Sequence, residues 1–188
     1  VVLIGTLALP LVLCLLALVI IDSKGRPFFR KERMGKGDSR FKIIKFRTMH
    51  HDAEDRLDAI LNAHPELRRE YEVFHKLADD PRQTRLGKFL RKYSLDELPQ
   101  LWNVLKGDMS MIGPRAYIPY EKPDMLGQEE AVLNVKPGLS GLWQVTCRNS
   151  SFEERIRIDL YYIANWSIFM DLYIFARTVS VVLLGMGA

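Results

Sequence analysis

Two adjacent carboxylates, Asp96 and Glu97, stand at an expected helix start in Ser94-Leu-Asp-Glu-Leu-Pro-Gln-Leu-Trp-Asn103. A carboxylate pair can hold Mg²⁺, a hard cation that takes oxygen ligands and partners phosphates. A helix start also offers backbone N–H groups to an anion. A structural reading competes, because Ser94 and Glu97 match the capping-box pattern [S/T]-x-x-E. Both acids would then do no more than complement the positive helix end. Asp108, Arg115 and Arg148 recur in turn-like contexts, the first two beside glycines (Lys106-Gly-Asp108, Ile112-Gly-Pro-Arg115 and Thr146-Cys-Arg-Asn149). Each arginine alone reads as a solvated charge. Together with Lys45 and Arg47 they make a diphosphate clamp, since guanidinium groups grip phosphate bidentately.

Other chemistries lack their residues. There is no phosphate-binding G-x-x-x-x-G-K-[ST] loop, no G-x-G-x-x-G and no Ser/His/Asp set. His50, His51, His64 and His75 fall in or beside expected structural helices, without metal-ligand spacing tied to the motifs. Cys14 and Cys147 form neither a disulfide framework nor a zinc pattern, which favours a reducing compartment.

The elements that position these groups divide the 188 residues into distinct populations. Residues 1–21 carry no charge, and about 20 apolar residues suffice to cross a bilayer core. A signal peptide does not fit, with no basic region before and no small-residue cleavage site after. Pro10 removes a helical hydrogen bond in mid-stretch and predicts a kink. A bent helix can enter one leaflet and return. Lys24 to Arg47 then holds ten Lys or Arg against Glu32 and Asp38, which places this flank on the cytoplasmic side.

Phe41 to Arg47 reads as a short strand, and residues 50–64 and 65–78 as two helical pieces. Ala53, Leu57, Ile60 and Leu61 form one stripe; Leu67, Tyr71, Phe74 and Ala78 form the next. Pro65 suits the first turn of the second piece. Thr84 to Lys92 adds a basic amphipathic turn or two. At about 167–185, Trp166, Phe169, Tyr173 and Phe175 interleave with aliphatic residues, while Asp171 and Arg177 make the stretch too polar for a clear span. It reads as an interfacial helix with aromatic anchors, or as an amphipathic core helix.

In these segments the chain resembles the bacterial sugar transferases, the monotopic phosphoglycosyl transferases. The resemblance is carried by Asp22-Ser-Lys-Gly-Arg-Pro27, Lys45-Phe-Arg-Thr-Met49, Asp80-Pro-Arg82 and Ser94 to Asn103. It continues through Gly107-Asp-Met-Ser-Met-Ile-Gly-Pro-Arg115, Lys136 to Val145 and Asp159 to Ser167. The insert at 50–78 resembles the larger members, such as undecaprenyl-phosphate galactose phosphotransferases. Those carry further N-terminal membrane helices and another domain, so this chain would match their catalytic core. Ala116 stands where many members have a second Pro.

The resemblance implies a mainly helical α/β fold: a re-entrant membrane helix at 1–22, then a membrane-associated catalytic core at 23–188 with interfacial amphipathic helices. It implies Asp96 as covalent nucleophile, Glu97 as supporting Mg²⁺ ligand beside it, and Lys45, Arg47, Asp108, Arg115 and Arg148 as substrate-binding residues. Its substrates would be a UDP-sugar and a polyprenol phosphate, with Mg²⁺ as cofactor and membrane lipids as surroundings. The site would lie on the cytoplasmic face of a bacterial inner membrane. Nucleic acid is not expected as a partner, and a homo-oligomer stays open. The competing class is a membrane-tethered scaffold that binds anionic lipid or nucleic acid through Lys24 to Arg47. It leaves the Asp96–Glu97 pair and the Gly-Pro-Arg turn without a role.

Overall fold

The computed structural model describes residues 2–22, 25–74, 77, 79–125, 127–148 and 150–187. Of the residues named in the expectations above, Lys24, His75, Ala78 and Asn149 lie outside them.

Helix α1 (Val2–Asp22) keeps helical structure through Pro10. Its described side chains are at residue 6 and over 9–22. Val12, Leu15, Leu16 and Val19 share one face, at the three- and four-residue spacing that aligns side chains along a helix. That stripe packs on Phe46, Leu90, Leu95 and Leu98. Each fully buried aliphatic side chain, such as Leu15 or Val19, stabilises this junction by roughly 1.5–3 kcal/mol. The rest of the helix leaves Leu9, Leu11, Leu13, Leu18, Ile20 and Ile21 exposed. Among the described residues no helix is long and apolar enough to cross a membrane.

Strands β1 (Phe28–Met34) and β2 (Arg40–Phe46) form an antiparallel hairpin, Phe28 opposite Phe46 and Met34 opposite Arg40. Only β2 was legible as a strand, because β1 carries its cations in a row and hides its alternation. On β2, Phe41 and Ile43 face one way, against Val104 and Met109, and Lys45 follows them at the same parity. Phe46 faces the other way, toward α1.

Helices α2 (Ala53–Ala63) and α3 (Pro65–Phe74) occupy the expected insert, with Pro65 at the first helical position. Ala53 and Leu61 are buried on the expected stripe. Asp80 and Arg82 meet in a buried bidentate pair, Arg82 Nε to Asp80 Oδ1 at 2.9 Å and Nη2 to Oδ2 at 2.6 Å. Helix α4 (Arg85–Lys92) is capped by the Thr84 hydroxyl, which accepts from Gly87 N. Gly87 packs so closely on Thr48 that a Cβ there would meet the Thr48 carbonyl at 1.9 Å.

The capping box expected at Ser94 is not formed. Ser94 is left-handed, with φ of +53°, and its side chain makes no capping hydrogen bond. The chain turns there because Ser94 N bonds back to Arg91 O, and Leu95–Gln100 follows as a 3₁₀ helix, not an α-helix. Capping box geometry instead occurs at Ser151 and Glu154, at the start of the later helix Phe152–Ala164.

Helix α5 (Leu101–Lys106) leads to β3 (Ser110–Ile112), which pairs in parallel with β4 (Gly138–Ser140). Gly113 and Gly138 cross at backbone contact, a Cβ on Gly138 meeting Gly113 N at 2.2 Å. Helices α6 (Glu129–Leu133) and α8 (Phe152–Ala164) enclose Met34, Tyr117 and Met125 on one side, while α7 (Leu142–Thr146) packs Val145 with Ile112 and Tyr162. Helix α9 (Ile168–Leu183) packs Ile174 against Ile112, Val145 and Tyr162. Asp171, polar within this helix, accepts from Tyr162 Oη at 2.8 Å and Trp166 Nε1 at 3.2 Å. The outward face of α9 leaves Phe169, Leu172, Tyr173 and Leu183 exposed. Its C-terminal end docks on α4, Gly187 N to Lys92 O at 2.7 Å.

Candidate active site

A 3₁₀ helix repeats every three residues, so its side chains fall in three ridges. Leu95 and Leu98 form the ridge that packs toward α1 and α4. Asp96 and Pro99 form a buried ridge, and Glu97 points along the third. The two carboxylates therefore diverge by about 120°, against about 100° in an α-helix. Asp96 is only 8% exposed. Burial pushes its carboxyl up to about 6, with Lys45 opposing and Glu97 adding to the rise. Glu97 accepts a short hydrogen bond from Lys45 Nζ on β2.

Arg148 closes this group from the chain after α7. Its Nε donates to Gln144 O at 2.7 Å, which anchors the guanidinium. Burial lowers its pKa, while the nearby charges of Glu97 and Asp96 oppose that fall. Arg91 of α4 also acts on Asp96 and donates from Nε to Thr48 Oγ1 at 2.9 Å.

Arg115 lies next to this cluster in the turn after β3. Its backbone N–H donates to Asp159 Oδ2 at 2.9 Å, and its Nη2 to Glu121 Oε1 at 3.1 Å. Its guanidinium sits 5.4 Å from the Tyr117 ring and 6.0 Å from that of Trp143. Arg33, at the end of β1, lies in the fields of both Arg115 and Glu97. Burial and then Arg115 lower its pKa to about 10. Lys45, Asp96, Glu97, Arg148, Arg115 and Arg33 thus form one charged neighbourhood drawn from five segments of chain.

The donor set suits Mg²⁺. Asp96 and Glu97 are joined by no third His, Cys, Asp or Glu among the described residues. Mg²⁺ characteristically takes one or two carboxylates and completes its shell with water and substrate phosphates.

Over residues 1–185 the chain matches the family model described as bacterial sugar transferase. The chain belongs to the bacterial sugar transferase family. It is 44% identical over 184 residues to the UDP-galactose-lipid carrier transferase of Erwinia amylovora, covering 97% of this chain and 38% of that protein. It is 40% identical over 183 residues to the undecaprenyl-phosphate galactose phosphotransferase of Salmonella typhimurium, covering 97% and 38%. Against the exopolysaccharide production protein ExoY of Sinorhizobium fredii it is 40% identical over 192 residues, covering 100% and 85%. The chain thus spans under two fifths of the Erwinia and Salmonella proteins, and most of the Sinorhizobium one.

In this bacterial sugar transferase, two of the substrate-binding residues expected from sequence have other contacts. Arg47 Nη1 donates to Arg26 O at 2.5 Å and lies over Gly25, joining the chain that enters the hairpin to the chain that leaves it. Asp108 accepts from Asn103 Nδ2 at 3.4 Å and Lys106 Nζ at 3.2 Å, at the far end of α5. Pro10 is exposed on α1. Ala116 packs beside Phe41 and Val104, where its small side chain fits the core.

Sequence reasoning did not single out Arg33 or Asp159. Arg33 was one of ten cations in a run assigned as a whole to the membrane flank. Asp159 is wholly buried, and burial raises its carboxyl to about 6. The signal for it was a lone acid between apolar residues in Ile158-Asp-Leu160. A groove of about 690 Å³ between the hairpin turn and α6 holds Asp38, Lys122, Glu129 and Glu130, and none of the site groups line it.

Proposed function

We propose that this chain is a phosphoglycosyl transferase core that moves a sugar-1-phosphate from a UDP-sugar to undecaprenyl phosphate in glycan assembly. The observation that carries this reading is the buried Asp96, faced by Lys45 and Arg148 and followed by Glu97 on a neighbouring ridge. The names of the Erwinia and Salmonella relatives, a UDP-galactose-lipid carrier transferase and an undecaprenyl-phosphate galactose phosphotransferase, suggest the substrates.

In the first half-reaction an Asp96 carboxylate oxygen attacks the β-phosphorus of the UDP-sugar. The new P–O bond forms as the bond to UMP breaks, and UMP leaves with that electron pair. In the second, an oxygen of undecaprenyl phosphate attacks the same phosphorus and expels the Asp96 carboxylate. The products are undecaprenyl diphosphate-sugar and the free enzyme. Lys45 holds Glu97 in place, and Arg148 and Arg115 draw the diphosphate toward Asp96. Asp96 and Glu97 would hold Mg²⁺, which supplies neutralisation of phosphate charge.

The packing of Leu95 and Leu98 on α1 supports a site at the membrane surface, because the segment that bears Asp96 is built onto that helix. The outer faces of α1 and α9 expose large apolar side chains, Leu9, Leu13 and Ile21 on one and Phe169, Leu172 and Leu183 on the other, as membrane-contacting surfaces do. We read α1 as a re-entrant helix and α9 as an interfacial one, with the site on the cytoplasmic face of the inner membrane. The test is UMP release from a panel of UDP-sugars without acceptor, followed by intact mass. One sugar should release UMP and leave a phosphosugar adduct. No UMP with any sugar, in the presence of Mg²⁺, would reject the reading.

A further inference from the structure

The group around Trp143 has buried donors left over. Arg155 sits 5.2 Å from the Trp143 ring and Arg115 6.0 Å from it, so two cations share one indole. Arg115 lies near enough to Arg155 and to Arg33 to oppose the charge on each. Against these three guanidinium groups stand two carboxylates, Asp159, which accepts from Arg115 N, and Glu121. Its Oε1 accepts from Arg115 and its Oε2 from Ile118 N at 2.8 Å. Meanwhile Arg33 Nη1, Trp143 Nε1 and Ser150 Oγ are buried without a hydrogen-bond partner. Arg155 is anchored through Nε on Ser150 O at 3.0 Å, which leaves its Nη edge for another acceptor.

Buried donors without partners are costly, and like charges at close range cost more. A cluster like this is stabilised by an anionic ligand rich in acceptor oxygens, and planar guanidinium forks match the oxygens of a phosphate. We propose that Arg33, Arg115 and Arg155 form a second anion subsite beside the Asp96–Glu97 pair, one that takes a phosphate monoester. The inference rests on the transfer reading above, which supplies two such groups: the phosphate of departing UMP and that of the acceptor lipid. Three guanidinium groups outnumber the two carboxylates, Glu121 and Asp159, so the cluster suits an added anion such as a phosphate monoester. Arg33 and Arg155 are thereby binding residues, not surface charges.

The test uses the full chain and two single-turnover half-reactions, with Arg33→Gln, Arg33→Lys and Arg155→Gln. UMP release without acceptor reads the first half, and discharge of the preformed adduct by a short polyprenyl phosphate reads the second. Calorimetry with UMP, uridine and inorganic phosphate reads the subsite directly. Arg33→Gln should weaken UMP about tenfold or more relative to uridine, the scale of one lost charge-assisted bond. Arg33→Lys should recover only part, because a point charge lacks the fork. Slowing confined to the first half assigns the subsite to the nucleotide phosphate; slowing confined to the second assigns it to the lipid phosphate. Without ligand, Arg33→Gln should melt at the same or a higher temperature, since it removes a buried, repelled charge. A lower melting temperature with both half-reactions and phosphate binding unchanged would make Arg33 structural and overturn the proposal. Arg155, half-exposed, gives the same readout in a background whose folding is less at stake: unchanged phosphate binding in Arg155→Gln also counts against it. If the wild type releases no UMP and forms no adduct, the transfer reading fails, while calorimetry still decides the subsite.

Discussion

The backbone N–H of Arg115 and the hydroxyl of Tyr117 both donate to Oδ2 of Asp159, each at 2.9 Å. One buried carboxylate on α8 therefore sets the turn that carries Arg115, 44 residues earlier. Its other oxygen, Oδ1, is buried without a partner. Burial raises the carboxyl from 3.8 to about 6, although both hydrogen bonds and the Arg115 charge act the other way.

The pH dependence follows from that rise. Between about pH 4 and 6 the folded protein holds a proton on Asp159 that the unfolded chain has released. Stability from this group is therefore greatest at low pH and falls as pH rises through that window, by on the order of 3 kcal/mol. Asp159→Asn keeps an acceptor for Arg115 and Tyr117 but cannot ionise. Urea melts at pH 4.5 and 7.5 should show the variant gaining on the wild type at the higher pH. Equal differences at both would mean that Asp159 keeps an ordinary affinity for its proton.

Asp96→Asn should fold as well as the wild type or better, because it removes a buried charge. Turnover should drop roughly a thousandfold or more, the scale for loss of a covalent nucleophile, and the phosphosugar adduct should vanish. Glu97→Gln should retain adduct formation at a reduced rate and need more Mg²⁺. Peptide mapping of the wild-type adduct checks the assignment: a phosphosugar on any other residue would displace Asp96 from the role.

Asp80 and Arg82 form a nearly inaccessible ion pair, with side chains 3% and 9% exposed. Arg82 also reaches Ala53 O, and its carbonyl accepts from His50 N, so the pair joins the insert to the core. Asp80→Ala strands a buried guanidinium and should cost about 3–5 kcal/mol. Thermal unfolding would register this as a large drop in Tm. At low temperature, the variant should still form adduct, which separates a scaffold residue from a binding one.

A re-entrant α1 makes both of its ends cytoplasmic. In a background without native cysteines, Val2→Cys and Ile21→Cys should resist an impermeant maleimide offered from the periplasm. Both should react in inverted vesicles. Periplasmic labelling of Val2→Cys would make α1 a crossing helix.

Local patterns in the sequence determined much of this protein. The stripe of Ala53, Leu57, Ile60 and Leu61 gave α2, Pro65 opened α3, and Lys45, Asp96, Glu97, Arg115 and Arg148 were identifiable by type and motif. Such features depend on neighbours within a few residues, so they are written in the order of the chain. Tertiary structure decided the rest. Ser94-x-x-Glu97 has the spacing of a capping box, yet Leu95 and Leu98 must both reach α1 and α4, and a 3₁₀ helix after a left-handed Ser94 aligns them. Arg33 looks like nine other cations along the chain; desolvation beside Arg115 sets it apart. Arg47 bonds to Arg26 and Asp108 to Asn103, contacts that no local pattern announces. A charge acquires its role from the water it loses and the charges it meets. Both depend on segments far away in sequence, and only the packed fold brings those together.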